Sequence, residues 1–158
     1  MMRSFTSLRT LHERLDQLFL LHQESLLDQD PEEALERLDQ YELALRDHLQ
    51  LEEEYLLPIY RRAGRIPGGP EEFYLGEHAK LLALLLRCRE LLLELLNAPG
   101  DRRRGLIGLF DQEAVLKSLT LHHHQREENI LFPTLDEVTE VAERCRLISL
   151  FLGEESET

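Results

Sequence analysis

The sequence predicts an all-α protein, an up-down-up-down four-helix bundle with a short fifth helix at its C-terminal end. Three observations lead there. Leucine dominates the apolar residues and tryptophan is absent. Apolar positions recur at intervals of three and four instead of alternating. Turn-forming clusters interrupt that rhythm at only a few points, leaving long uninterrupted segments.

The first helix is predicted over residues 4–28, with the inner stripe His12, Leu15, Phe19, His22 and Leu26. Asp30 caps the second, Pro31 takes its first position and Glu33 completes a capping box, so the intervening turn is very tight. This helix runs to about residue 62, with Pro58 kinking or ending it, and a loop rich in Gly and Pro follows over 63–69. Pro70, Glu71 and Glu72 open the third helix with acids at the positive end of its dipole, and Asn97, Pro99 and Gly100 close it. The fourth spans 101–132, so the bundle covers 4–132. Pro133 restarts a fifth helix, 133–152, amphipathic through Leu135, Val138, Ala142, Cys145 and Leu152. It serves either as a lid or as a homodimer surface, and an acidic tail, 153–158, follows.

At 158 residues the chain can bury a core as a single domain. Its 31 acidic and 18 basic side chains give a formal charge of −13, which repels phosphate backbones and anionic lipid. Neither nucleic acid nor a membrane is the expected partner. No stretch approaches the roughly 18 apolar residues of a membrane span, and charged residues precede any run of signal-peptide length. Cys88 and Cys145 lie far apart in no paired pattern, which argues against a disulfide framework or cysteine zinc site and fits the reducing cytoplasm.

The chemistry lies in a duplication. His48 and His123 are each followed by Glu at +4 and +5, Leu at +8, an apolar residue at +9 and Pro at +10. Single histidines, His12 and His78, sit on the preceding helices. In an antiparallel hairpin, residues equidistant from the turn lie level. The midpoint of His12 and His48 is residue 30, and that of His78 and His123 is 100.5; both fall on predicted turns. Four imidazoles therefore share one layer. His and Glu four apart stand on one helix face, so His48 with Glu52 and His123 with Glu127 aim two carboxylates and several imidazoles at one interior region. Burying them is costly without a compensating partner, and a pair of iron or manganese ions about 3.5 to 4 Å apart suits bridging carboxylates with neutral nitrogen donors.

These residues, His12, the His48-x-x-x-Glu52 motif with Glu53, His78, and the His123-x-x-x-Glu127 motif with Glu128, resemble the hemerythrin-like, or HHE cation-binding, family. The resemblance covers the first four helices. It implies a bundle enclosing two Fe ions in an oxo- or hydroxo-bridged di-iron centre, with Mn or Zn as substitutes. Glu52 and Glu127 would bridge, and His12, His48, His78 and His123 would be terminal ligands. The implied function is binding or sensing oxygen, another small diatomic, peroxide or a related small oxidant, or handling iron. Oxygen-carrying members have two histidines four apart on the third helix, whereas Tyr74 and Leu82 flank His78 here. Tyr74 or water would complete coordination, and sensing, peroxide or nitric oxide chemistry, or another metal fit as well. A di-iron peroxidase or oxidase and a metal-free helical interaction module are the competing readings. Ferritin-like Glu-x-x-His spacing is absent from the sequence.

The remaining histidines and charges read as structural. His22 lies ten residues, about 15 Å, from His12 along the helix, and level with Glu113, its expected partner, with Tyr41 the alternative. Of His122, His123 and His124 one alone can point inward at about 100° per residue, so His122 and His124 are expected at the surface or an interface. Glu53, Glu128 and the run Arg102, Arg103 and Arg104 are expected to face solvent.

Overall fold

The computed structural model describes residues 3–98 and 100–154, which are predominantly helical with no strand among them. A 3-10 turn, Phe5–Leu8, leads into α1, Arg9–Leu27. Then come α2, Pro31–Leu51; α3, Leu57–Tyr60; α4, Glu71–Asn97; α5, Arg103–Arg126; α6, Phe132–Val138; and α7, Val141–Leu152. Along their lengths α1 packs on α2, α4 on α5 and α2 on α4.

The α1–α2 turn is as tight as the sequence demands. Gln29 takes the left-handed conformation, φ 58°, and the Asp30 amide reaches back to the Ser25 carbonyl at 3.0 Å. Asp30 accepts from the Glu33 amide at 3.1 Å, but only half the capping box forms. The Asp30 amide is already taken by Ser25, and the Glu33 carboxylate turns to Arg37 at 2.9 Å. Pro99, on the other predicted turn, and the tail residues 155–158 lie outside the described residues.

Two wide π-helical turns distinguish the structure from the expected uninterrupted helices. Glu52–Leu56 joins α2 to α3, and Glu127–Leu131 joins α5 to α6. Neither Pro58 nor Pro133 ends a helix; each occupies the first turn of the segment after the π turn, where its missing N–H costs nothing. The expected helix over 133–152 is instead split at Thr139 and Glu140, both extended. Thr139 turns its hydroxyl to the Leu135 carbonyl, and Arg144 donates to the carbonyls of Asp136 and Thr139 at 2.7 and 3.0 Å, capping α6.

The apolar residues form two clusters. The larger contains Leu15, Phe19, Leu38, Leu45, Leu81, Leu85, Leu92 and Leu116. The smaller contains Phe5, Leu8, Leu56, Tyr60, Tyr74, Phe132, Leu135, Ile148 and Phe151, so the apolar side of α7 is covered by its own chain. Apart from His22 and Glu113, which sit within the larger cluster, the buried His and Glu residues of α1, α2, α4 and α5 fall between the stretches feeding the two clusters. A polar layer thus separates two apolar ones.

Candidate metal centre

Each of the six sequence-predicted residues is buried in that layer. His12 comes from α1, His48 from the last turn of α2, His78 from α4 and His123 from α5. Glu52 and Glu127 open the two π turns. They form two groups, His12, His48, Glu52 and Glu127, and Glu52, His78, His123 and Glu127, in each of which the ligand-capable atoms lie within 4.8 Å of one another. Both carboxylates belong to both groups.

The imidazole Nε2 atoms face these carboxylates. His12 Nε2 is 3.0 Å from Glu127 Oε1, His48 Nε2 2.5 Å from Glu52 Oε1, His78 Nε2 3.0 Å from Glu52 Oε2, and His123 Nε2 3.5 Å from Glu127 Oε1. Several contacts are close yet misaligned for hydrogen bonding. His12 Nε2, His48 Nε2, His123 Nε2, Glu52 Oε1 and both Glu127 oxygens have no hydrogen-bond partner among the described residues. Buried polar atoms normally find partners. This convergence of orphaned nitrogen and oxygen donors is the condition that a bound cation satisfies, so the residues present fit a metal pair.

The electrostatics show the same tension. Burial, reinforced by the Glu52 charge, holds the Glu127 carboxyl well above its usual range. Burial acts on Glu52 as well, but His48 and further hydrogen bonds outweigh it and hold that carboxyl well below the usual range. Burial and the neighbouring His124 lower His12 to about 2, leaving its ring neutral, the state required of a metal ligand. For His78 burial is overcome by the Glu52 and Glu53 carboxylates, which raise its pKa.

Around the six stand residues that sequence reasoning placed elsewhere. Glu53, expected to face solvent, is half exposed but accepts from His78 Nδ1 at 2.9 Å. Glu128, likewise expected outside, is partly buried, 3.8 Å from His12 Nδ1 and 3.3 Å from Arg9. Only the first acid of each pair, Glu52 and Glu127, is buried; Glu53 stays exposed as expected and Glu128 partly so, each with one oxygen turned toward a histidine of the centre. Glu77, which sequence reasoning did not single out, accepts from His123 Nδ1 and Arg126 Nε, each at 3.1 Å.

His124 is the clearest correction. It is buried, with its ring stacked parallel on His12 at 3.8 Å between centroids. The helix places it beside the inward His123 at a position that α1 covers. Burial lowers its pKa to about 3, so two neutral rings stack without charge repulsion. His122 is exposed as expected, beside Arg126.

Tyr74 is fully buried, its ring centroid 6.5 Å from that of His123, and its hydroxyl has no hydrogen-bond partner among the described residues. His22 is apart from the centre and satisfied. Its Nδ1 lies 2.7 Å from the Ala34 carbonyl and its Nε2 2.6 Å from Glu113, the partner expected from their equal height. The Arg102–Arg104 positions are exposed. Among the described residues, no helix is long and apolar enough to cross a membrane. Cys88 and Cys145 are free.

In comparisons with known proteins, no family model, curated protein or solved structure matches this chain.

Proposed function

We propose that the chain is a hemerythrin-like, non-haem di-iron protein, a four-helix bundle with C-terminal additions, that binds or senses oxygen or a related small oxidant, or handles iron. The observation that carries the reading is the pair of buried His and Glu groups sharing Glu52 and Glu127. His12 and His48 would hold one ion, His78 and His123 the other, and the two carboxylates would span both. Bound iron would supply one-electron redox chemistry and affinity for a small oxidant. The chain's part is to present neutral nitrogen donors, to neutralise the cations with two buried acids and to limit water access with leucine-rich layers on either side. Tyr74, in place of a second α4 histidine, favours sensing or oxidant handling over reversible oxygen carriage. Manganese or zinc suits the same donors, and the free thiols support a cytoplasmic setting.

The test is elemental analysis of protein expressed in iron-sufficient medium, with absorption spectra before and after reduction and on readmitting oxygen. The expected result is two irons per chain and an oxygen-dependent spectral change. Glu52→Ala and Glu127→Ala should each lower the iron content. Adding iron to metal-free protein should raise the melting temperature. At a hundredfold excess over the dissociation constant the gain is about 2.7 kcal/mol, or about 5–10 °C for a chain of this size. Protein without iron, whose melting temperature ignores added metal, would overturn the assignment.

A further inference from the structure

The two halves of the centre share their carboxylates but differ in what holds the imidazoles from behind. His78 and His123 each give Nδ1 to a carboxylate outside the metal-capable groups, Glu53 at 2.9 Å and Glu77 at 3.1 Å. Glu77 is itself fixed by Arg126. The other half lacks such support. Glu128 stands 3.8 Å from His12 Nδ1, beyond hydrogen-bond length, and is engaged by Arg9 at 3.3 Å. His12 Nδ1 has no hydrogen-bond partner among the described residues, and its ring leans on the flat face of His124. Among the described residues, the only carboxylate within ion-pair distance of His48 is Glu52.

Surface recesses reach the His12–His48 half. A surface recess of about 500 Å³ is lined by His12, His124 and Glu128, and another of about 470 Å³ reaches His48 between Leu11, Leu51 and Phe151. The first places His12 and an acidic side chain at its wall, and the second borders His48. A carboxylate behind a ligating imidazole fixes its tautomer and orientation and raises its basicity. Losing one typically costs about 10–100-fold in metal affinity.

Resting on the di-iron reading above, we infer that the two cation positions are unequal: Glu53 and Glu77 act as positioning residues that make the His78–His123 position the tightly held one, leaving the His12–His48 position exchangeable. A two-cation centre of this build loads and releases its ions in sequence.

The test uses the full chain loaded anaerobically with two ferrous ions and mixed with a chromogenic ferrous chelator. Release should show two phases of equal amplitude, with rates separated by about tenfold or more. Glu53→Ala and Glu77→Ala should accelerate the slow phase about 10–100-fold and leave the fast phase unchanged. Glu53→Gln and Glu77→Gln, which keep an acceptor oxygen, should restore much of the slow release. His48→Ala should remove the fast phase. Melting temperatures of the metal-free variants separate positioning from general damage, because a merely structural role would lower them and speed both phases alike. One phase for both ions, or acceleration of the fast phase by the Glu53 and Glu77 variants, overturns the inference while leaving the di-iron reading intact. Protein that takes up no iron overturns both.

Discussion

The His22–Glu113 pair offers a test of the helix register that does not depend on any metal. Both side chains are completely buried, and Nε2 lies 2.6 Å from the carboxylate. The Nδ1–H donates to the Ala34 carbonyl at 2.7 Å, so both ring nitrogens are engaged and neither His22 nor Glu113 can lose its partner cheaply. Truncating one member of a buried, hydrogen-bonded pair of this kind costs about 3–5 kcal/mol. At about 2–4 °C per kcal/mol for a chain of this length, Glu113→Ala should lower the metal-free melting temperature by about 6–20 °C. Removing both polar groups avoids an orphan, so the double variant His22→Leu with Glu113→Leu should be more stable than Glu113→Ala alone. Ten residues separate His22 from His12, about 15 Å along the helix, so iron content should be unchanged in the folded variants. Thermal melting by circular dichroism with parallel metal analysis measures both effects. A melting temperature for Glu113→Ala within about 2 °C of the parent, or a double variant less stable than Glu113→Ala, refutes the reasoning.

Two further outcomes follow from the centre and its surroundings. Burial and Glu52 hold the Glu127 carboxyl above its usual range, so the metal-free fold favours the protonated acid. Ionisation begins to cost stability above the ordinary carboxyl value of about 4.3, and the cost is complete above the raised folded value. Metal-free Glu127→Gln should therefore melt higher than the parent at pH 8, with the gap closing as pH falls toward 4, while iron loading falls; a gap of the opposite sign contradicts this. At Gly69 an added Cβ would lie 2.7 Å from Ile130 Cγ2 and 3.0 Å from each of the Tyr60 and Tyr74 hydroxyls. Overpacking of that kind costs about 1–3 kcal/mol, so Gly69→Ala should lower the melting temperature by about 2–12 °C, and an unchanged value would show that the contact yields freely.

The six converging residues were legible because they repeat and because antiparallel pairing makes equidistant positions level. His22 and Glu113 were legible for the same reason. What the sequence concealed follows from one assumption, an unbroken α-helix at 3.6 residues per turn. Above the centre the inner stripe alternates threes and fours, as in Leu38, Tyr41, Leu45 and His48. From there it proceeds by fours: His48, Glu52, Leu56 and Tyr60 on one strand of the repeat, His123, Glu127, Leu131 and Leu135 on the other. Each step of four overshoots an α-helical turn by about 40°, and three in succession would carry the last residue out of the core. The run of fours was the readable sign of a π turn, and with it of Glu53 and Glu128 coming within reach of His78 and His12. Glu77 had no such sign, since its role depends on His123 and Arg126 from another helix. The break at Thr139 was hidden because its stabilising partner, the Arg144 side chain, lies beyond the break it caps.

The polar storey between the leucine-rich cluster and the aromatic cap divides the molecule by the kind of force that holds it. On either side cohesion is hydrophobic and answers to heat and denaturant. Across the seam it is polar, carried by imidazoles and carboxylates, and answers to acidity. Phe151 of the cap meets His48 edge-on, with ring centroids 6.3 Å apart, which sets the last helix against the edge of the polar layer. The aromatic cluster that covers the last helix thus touches the polar layer at two rings, Phe151 on His48 and Phe132 on His12, the latter with centroids 5.7 Å apart.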